Sequence, residues 1–230
     1  MYPYDALRTA LADAIEANDL AGKSISVRCT ALSPAAAIGR PEHGDYPILK
    51  GKEVLVEAAF EGAKGQAFAD SFENTDYLID DLPAMELDVN SRRASFVAGL
   101  NAVYRHLGLT DGTVHCRDEE PVDCAGNLLD AVAIPGKVLL IGLQPRLLHT
   151  LAAATSLRAV DMDADNIGTE VAGVLIEPPA NTADALAWCD LVVATGSTLV
   201  NGTISLFLGQ DKPVVFYGVT IAAAATVLGL

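Results

Sequence analysis

Apolar residues near the start of the chain recur at helical spacing. After Pro3, which a first helical turn tolerates, Leu7, Leu11 and Ile15 lie on one face of a helix and acidic residues lie on the other. This pattern predicts an amphipathic helix that ends near Asn18. We therefore expect the chain to open with a helix that packs one face against a core.

The next part of the chain predicts strands and then a second helix. Period-two alternation and short apolar runs predict strands over residues 24–32, 54–60 and 66–70, with a turn over residues 61–65. A helical pattern follows from Asn90 to His106, and Gly108 is placed to end that helix. One helix, three strands and a further helix predict an α+β domain over residues 1–125.

From Gly136 the pattern changes to a regular alternation of apolar runs and helical segments. The run from Lys137 to Gly142 is typical of a buried parallel strand. Further strands are expected over residues 157–160, 174–176, 191–194 and 213–217, with helices near 147–151, 183–188 and 197–207. This spacing predicts an α/β fold over residues 126–230, with a Rossmann-like doubly wound parallel sheet. The last residues are apolar all round, which indicates a buried helix or a helix that a natural tail would cover.

Composition and charge exclude several classes of partner. The 230 residues include 15 basic and 30 acidic ones, a net charge of −15. Such a surface repels phosphate backbones and anionic lipid, so nucleic acid and membrane surfaces are poor partners, whereas cations or substrates carried with cations are better ones. There is neither a signal-peptide pattern nor an apolar run of about 20 residues, and four cysteines are too few for a disulfide framework. We expect a cytoplasmic protein, and a homo-oligomer is left open.

The stretch from Thr113 to Cys124 combines soft and hard metal donors. Its candidate metal ligands are His115, Cys116, Asp118, Glu119 and Cys124. Thiolate and imidazole select transition metals, and a carboxylate commonly orients a ligating imidazole, so the stretch predicts a transition-metal cofactor whose identity the residues leave open. The alternative is a strand with Cys116 in the core, followed by a solvated acidic turn. Neighbouring side chains on a strand point to opposite faces, which makes joint ligation by His115 and Cys116 difficult unless the strand ends there.

In the second half, candidate ligand-binding residues follow the predicted strands. The first strand ends Gly142-Leu-Gln-Pro-Arg146, which lacks the glycines of a dinucleotide-binding loop. Asp161 closes the next strand, at the position of a ribose-binding acid. Thr195, Gly196 and Ser197 precede a predicted helix whose free N–H groups favour an anion or a carboxylate, and Asn201 lies in that helix. The alternatives are solvated strand-end acids and close helix–sheet packing at Gly202.

Three polar residues of the first half are weaker candidates for ligand binding. Arg40 lies in a loop rich in proline and glycine, and Glu53 and Asp70 lie at strand ends. Each such residue is more often structural, although loops held by a scaffold also carry binding chemistry.

Six short motifs together resemble a known family. They are Gly39-Arg40-Pro41, Pro47-x-Leu49-x-Gly51-Lys52-Glu53, Gly65-Gln66-Ala67-Phe68-x-Asp70, Asn101-Ala102, His115-Cys116 with Cys124, and Thr195-Gly196-Ser197 with Asn201-Gly202-Thr203. The chain resembles the domain-of-unknown-function family labelled "putative heavy-metal chelation". The resemblance implies an enolase-N-terminal-like domain joined to a Rossmann-like domain, with a site in the cleft between them. It implies no catalytic residues, and Ala69 stands where a hydroxyl residue is expected in the family.

These observations leave three functions in view. The favoured one is the handling of a metal or metal chelate, with a small anionic ligand in the inter-domain cleft. The first alternative is a transferase-like enzyme that binds a nucleotide or adenosyl compound through Asp161 and the Ser197 helix terminus. The second is a non-catalytic binding protein. Whether the chain is an enzyme stays open.

Overall fold

A computed structural model describes residues 3–30, 53–115 and 136–230. The α-helices in these ranges are α1 (Pro3–Ala17), α2 (Asn90–His106), α3 (Pro145–Ala154), α4 (Thr182–Trp188), α5 (Ser197–Val200) and α6 (Ala222–Leu228). The strands are β1 (Ser24–Thr30), β2 (Val54–Phe60), β3 (Ala63–Ala69), β4 (Thr75–Leu78), β5 (Lys137–Ile141), β6 (Ser156–Val160), β7 (Glu170–Val171), β8 (Val174–Glu177), β9 (Leu191–Thr195) and β10 (Val214–Tyr217). The elements form two sheets in a mixed α/β fold.

The first sheet is antiparallel, with strand order β3-β2-β1-β4. Its β2–β3 hairpin turns at Glu61 and Gly62, whose φ angles are +47° and +84°. Two positive φ angles match the twist of the flanking strands, so the hairpin closes in two residues. The predicted turn over residues 61–65 is therefore too long, because β3 already begins at Ala63. Strand β4 pairs with β1 and was not predicted.

Helix α2 covers this sheet and has the predicted start and end. Gly108, with φ +68°, follows its last turn, as expected for a left-handed stop. Helix and sheet approach closely at Gly65, where an added Cβ would lie 2.2 Å from the backbone nitrogen of Ala102. Only glycine fits there, and packing therefore explains the glycine that begins the motif at residues 65–70.

The second sheet has the order β10-β9-β5-β6-β8-β7, in which the pairs from β10 to β8 are parallel and β7 joins antiparallel. The predicted parallel strands are present, and the short antiparallel β7 is an addition. The chain moves from β5 outward to β8 and then crosses to the other side of β5 for β9. The strand order therefore reverses between β5 and β9.

The helix predicted over residues 197–207 is wrong. Helix α5 stops at Val200, and Gly202 has a φ of +81°. The side chain of Asn201 accepts hydrogen bonds from the backbone nitrogen and the hydroxyl of Thr203, at 3.0 and 2.7 Å. This local bonding replaces helical bonding, and the chain resumes with a single 3-10 turn at Ile204–Leu206.

One hydrophobic core spans both halves of the chain. Its buried residues include members of α1, α2 and the first sheet together with Leu199, Ile204, Ile221, Ala223 and Ala224 from the second half. The apolar C-terminal helix α6 packs against α1 and α2. The predicted domain boundary at residue 125 lies outside the described ranges, but the two sheets fall on either side of it.

A buried asparagine connects the two halves. Asn101 donates to the carbonyls of Gln66 and Val219, at 2.9 and 3.1 Å, and accepts from the backbone nitrogen of Ala223 at 2.9 Å. We call this set the Asn101 junction. Because the junction holds the segment that follows β10, it determines where that segment meets the end of β3. Within the described ranges, no helix has the length and hydropathy needed to cross a membrane.

Candidate functional site

A cleft of about 1180 Å³ lies where the two sheets meet. It is bounded by the carboxyl ends of β5, β6, β9 and β10 and by the end of β3. Ligands of open α/β sheets bind beyond the carboxyl ends of the strands, at the point where the strand order reverses. The cleft includes the β5–β9 reversal, so it is the candidate functional site.

Gly142 ends β5 and allows the strand ends to come together. Its φ is +86°, and an added Cβ would lie 2.7 Å from Thr195 Cγ2. The hydroxyl of Tyr217, at the end of β10, donates to the carbonyl oxygen of Gly142 at 3.1 Å. Burial raises the pKa of the Tyr217 phenol, and the nearby Glu53 and Asp161 raise it further. The phenol therefore stays protonated and can act as a donor.

Three carboxylates form one side of the cleft, and we call Glu53, Asp161 and Asp163 the acidic wall. Glu53 directly precedes β2 and is half-buried. Burial raises the pKa of Glu53 to about 7, and the charges of Asp161 and Asp163 contribute to the increase. Near neutral pH this carboxyl group is therefore divided between its protonated and charged forms, and a positive charge nearby would favour the charged form.

Asp161 connects two loops at the strand ends. One of its oxygens accepts from the backbone nitrogen of Leu143 at 2.7 Å, and the other accepts from the backbone of Asp163 at 2.8 Å and from the side chain of Asn166 at 3.2 Å. These three donors hold the carboxylate in place. Asp161 therefore positions the loop after β5 as well as facing the cleft.

Several backbone positions of the loop after β5 have no N–H available for a phosphate. The Leu143 N–H is bonded to Asp161, Pro145 has no N–H, and the Leu147 N–H is bonded to the side chain of Gln144 at 2.5 Å. A phosphate-binding loop needs such N–H groups free. This agrees with the sequence argument against ordinary dinucleotide binding.

Backbone N–H groups of the segment after β9 also donate hydrogen bonds within the protein. Of the residues selected here from the sequence, Thr195, Ser197 and Asn201 line the cleft, whereas Gly196 is not part of its lining. The Gly196 N–H donates to Tyr217 at 2.8 Å, and the Ser197 N–H donates to the Thr195 hydroxyl at 3.2 Å. Helix α5 has only four residues. The backbone here therefore offers less to an anion than the sequence indicated.

His115 lies at the cleft, next to β3. Gln66 accepts from the backbone nitrogen of His115 at 2.7 Å and donates its own backbone N–H to Thr113 at 2.9 Å. The His115 ring contacts Phe68 edge to face, with centroids 5.2 Å apart. Residues 113–115 are therefore held along β3 by hydrogen bonds to Gln66.

The other predicted metal ligands and one predicted ligand-binding residue lie outside the described residues. They are Cys116, Asp118, Glu119, Cys124 and Arg40. Within the described ranges, no three His, Cys, Asp or Glu side chains converge closely enough to hold a metal ion. The predicted metal site therefore stays a prediction.

Asp70 also lines the cleft, at the end of β3. It is exposed and accepts from the side chains of Asn90 and Ser71, at 2.8 and 2.9 Å. Among the described residues that line the cleft, none is a lysine or an arginine. The electrostatic field of this lining therefore favours a cation.

Sequence reasoning missed part of this lining. It did not select Tyr217 or Phe216, which end β10, or Phe207, and it treated Asp163 as a neighbour of Asp161 only. The spacing Asp161-x-Asp163 directly after a buried strand was the available signal for the acidic wall. The sequence carried no comparable signal for the aromatic residues, because they also fit a core pattern.

Comparisons with known proteins find a matching family model over the second half of the chain and similar structures over most of its length. The family model DUF364, described as "Putative heavy-metal chelation", matches residues 127–229. A DUF364 protein of unknown function from Pyrococcus horikoshii has a similar structure, with a TM-score of 0.57 and 15% identity over 96% of this chain and 80% of that chain.

A second DUF364 protein of unknown function, from Desulfitobacterium hafniense DCB-2, has a TM-score of 0.52 and 14% identity over 76% of this chain and 71% of that chain. A search of curated proteins finds no match. At these identities the two structures show the fold alone. The chain is thus similar to the DUF364 family, in sequence over residues 127–229 and in fold over most of its length.

Proposed function

We propose that this protein binds a small positively charged ligand in the cleft, and that a metal complex is the form of ligand it handles. The observation that carries the proposal is Glu53, half-buried beside Asp161 and Asp163 and with a pKa of about 7. Holding these carboxylates together is unfavourable without a compensating charge. A bound cation supplies that charge, and the description of the matching family model supports a metal as its source.

A metal complex explains the lining better than a bare ion does. The described residues bring no three donors together, and a cleft of about 1180 Å³ is far larger than one ion. A metal that enters with its own ligands needs charge and shape complementarity but no new coordination. We retain His115, Cys116, Asp118, Glu119 and Cys124 as proposed donors that would replace ligands of the complex in a later step, after the complex has bound.

The small anionic ligand expected from the sequence has less support. Arg40, the basic residue among the predicted ligand-binding residues, lies outside the described residues, and the described lining is acidic. We therefore propose that an anionic ligand binds here only as part of a complex whose metal keeps the net charge positive.

The finer architecture belongs to the same proposal. We interpret the second sheet as Rossmann-like, because its parallel strands reverse order at β5 and β9. We interpret the first sheet and α2 as the enolase-N-terminal-like part. With this interpretation the cleft corresponds to the inter-domain site that the family resemblance implies.

An adenosyl compound is the second candidate ligand. Asp161 ends β6 beside the strand-order reversal, where a ribose-binding acid is expected. The loop after β5 does not favour phosphate, so this candidate is a positively charged adenosyl compound without a phosphate group. Such a ligand would make the protein transferase-like, whereas metal-complex binding suits a non-catalytic binding protein as well.

Binding of an inert cation tests the proposal. Hexaamminecobalt(III) keeps its ligands, so it reports charge recognition without coordination by the protein. Isothermal titration at pH 8 should show saturable binding, and Glu53→Gln should weaken it by about fivefold to tenfold through loss of one nearby charge. Glu86→Gln removes the same charge from an exposed site outside the cleft and should leave affinity unchanged. Equal affinities for the two variants, or no saturable binding, would contradict the proposal.

A further inference from the structure

The cleft exposes large apolar side chains as well as carboxylates. Val114, Met162 and Leu206 line it and are 43%, 60% and 52% exposed. We call these three residues the apolar rim. They come from three separate segments: residues 113–115 beside β3, the loop after β6 and the 3-10 turn after α5. Separate segments that present apolar surface to one cavity indicate a place where something apolar binds.

The position of Met162 is held by a neighbouring segment. The side-chain nitrogen of Asn201 donates to the Met162 sulfur at 3.3 Å. This contact joins the loop after β6 to the segment after β9. Both side chains of this contact line the cleft.

Aromatic surface continues from the apolar rim into the cleft. Phe216 at the end of β10, Phe68 in β3 and Phe207 line the cavity; the first two are half-buried and Phe207 is buried. Aromatic faces attract cations, and they also pack against flat apolar groups. A bare ion or a compact polar cation would leave most of this surface in water.

We propose that the ligand of the cleft is a cation with an apolar body, either a metal complex with aromatic ligands or a metal-free organic cation, whose charge faces the acidic wall while its body packs on the apolar rim. This inference rests on the proposed function, since it specifies the ligand of the same cleft. Binding then combines burial of apolar area with charge neutralisation, and each contribution alone gives weaker affinity.

Two cobalt(III) complexes of equal charge separate these contributions. Tris(1,10-phenanthroline)cobalt(III) and hexaamminecobalt(III) both carry three positive charges and are inert, but only the first has an apolar surface. Isothermal titration should give a Kd about tenfold or more lower for the phenanthroline complex. The metal-free planar cation 9-aminoacridine forms a third arm and is compared with ammonium, which carries the same single charge without an apolar body. Binding of 9-aminoacridine at least about tenfold tighter than that of ammonium identifies an organic cation as a ligand, and equal weak binding of the two identifies a metal complex.

Variants of the apolar rim give the matched comparison. Met162→Ala and Leu206→Ala should each weaken binding of the phenanthroline complex by about threefold to tenfold and leave binding of hexaamminecobalt(III) unchanged. Leu175→Ala is the control, because Leu175 is 58% exposed on β8 and lies outside the cleft. Both rim side chains are exposed, so the variants should fold.

The possible outcomes distinguish the two proposals. Equal affinity for the two complexes, or equal effects of Leu206→Ala and Leu175→Ala, would overturn the apolar-body inference. If hexaamminecobalt(III) still binds and depends on Glu53, the proposed function stands without this inference. If no cation binds saturably, both fail.

Discussion

The Asn101 junction and the acidic wall both join the two halves of the chain, but they treat polar groups in opposite ways. At the junction, a fully buried amide makes three hydrogen bonds with good distances. At the acidic wall, like charges are held together and the pKa of Glu53 is raised to about 7. Hydrogen-bonded polar groups stabilise a fold, whereas like charges held close together weaken it and are typical of sites that a ligand completes. The contrast therefore separates the structural contacts from the candidate functional ones.

The largest expected effect is at the tight contact beside the junction. Gly65→Ala places a Cβ against the backbone of α2 and should lower the free energy of unfolding by about 4 kcal/mol or prevent folding, since backbone cannot move aside as a side chain can. Gly62→Ala is the control: its Cβ meets no atom within 4 Å, but φ is +84°, so a cost of about 1 kcal/mol is expected. Urea unfolding measures both, and similar losses would show that the Gly65 contact is not tight.

The junction itself should be nearly as sensitive. Asn101→Leu keeps the number and branching of the side-chain non-hydrogen atoms but leaves two carbonyls and one N–H without their partner, so the free energy of unfolding should fall by about 3 kcal/mol. Asn18→Ala removes an exposed bond to Ala14 and should cost less than about 0.5 kcal/mol. Urea unfolding measures both variants. Similar decreases in the free energy of unfolding would show that the three hydrogen bonds of Asn101 contribute no more than one exposed hydrogen bond.

Substitution of Glu53 in the acidic wall should raise the free energy of unfolding, in contrast to substitution of Asn101, and the increase should depend on pH. The folded-state pKa of Glu53 is raised from 4.5 to about 7, so the folded state keeps a proton that the unfolded state releases. Wild-type stability therefore falls as pH rises from about 4.5 to 7, and the full penalty remains above 7. Glu53→Gln should stabilise the protein by about 1–3 kcal/mol at pH 8 and by almost nothing at pH 4.

Thermal and urea unfolding across this pH range measure the difference for Glu53. Glu86→Gln, which removes an exposed carboxylate paired with Arg92 at 3.1 Å, is the matched control and should show no such pH dependence. Destabilisation by Glu53→Gln at pH 8 would mean that Glu53 has favourable partners and that the comparison with the junction does not hold.

The smallest effect concerns one charge within the acidic wall. Asp161→Asn removes a neighbouring negative charge, so the titration midpoint of Glu53 should move down, toward 4.5. NMR titration of the Glu53 side chain measures this midpoint. Asp184→Asn is the control: Asp184 lies outside the cleft and accepts a hydrogen bond from Arg158, so this variant should leave the midpoint of Glu53 unchanged. An unchanged midpoint in Asp161→Asn would show that the charge of Asp161 does not contribute to the raised pKa of Glu53.

Most of the local elements could be predicted from the sequence. The bounds of α2 and β2 agree with the expected ones, because an apolar pattern of clear period ends at a turn residue in each case. Strand β4 could not be predicted, since Thr75–Leu78 is short and partly exposed and exists through pairing with β1. The predicted helix after Ser197 was too long, because the side chain of Asn201 bonds to Thr203 and the helical hydrogen bonding ends there.

The candidate site was predictable as separate residues but not as a site. Glu53, Asp70, His115, Asp161, Thr195, Ser197 and Asn201 were selected from the sequence, and all of them line one cleft. Their binding roles stay predictions. The apolar rim was not foreseen, because an exposed Met162 and a buried methionine look alike in a sequence.

The sequence by itself determined the succession of helices and strands, the change of pattern between the two halves and the acidic net charge, because these depend on near neighbours and on composition. Only the tertiary structure decided which strand ends meet and that Glu53 lies beside Asp161 and Asp163. Distance and burial set the energy of a charge, and both arise from contacts between residues far apart in the chain. The cleft and its preference for a cation are therefore properties of the fold.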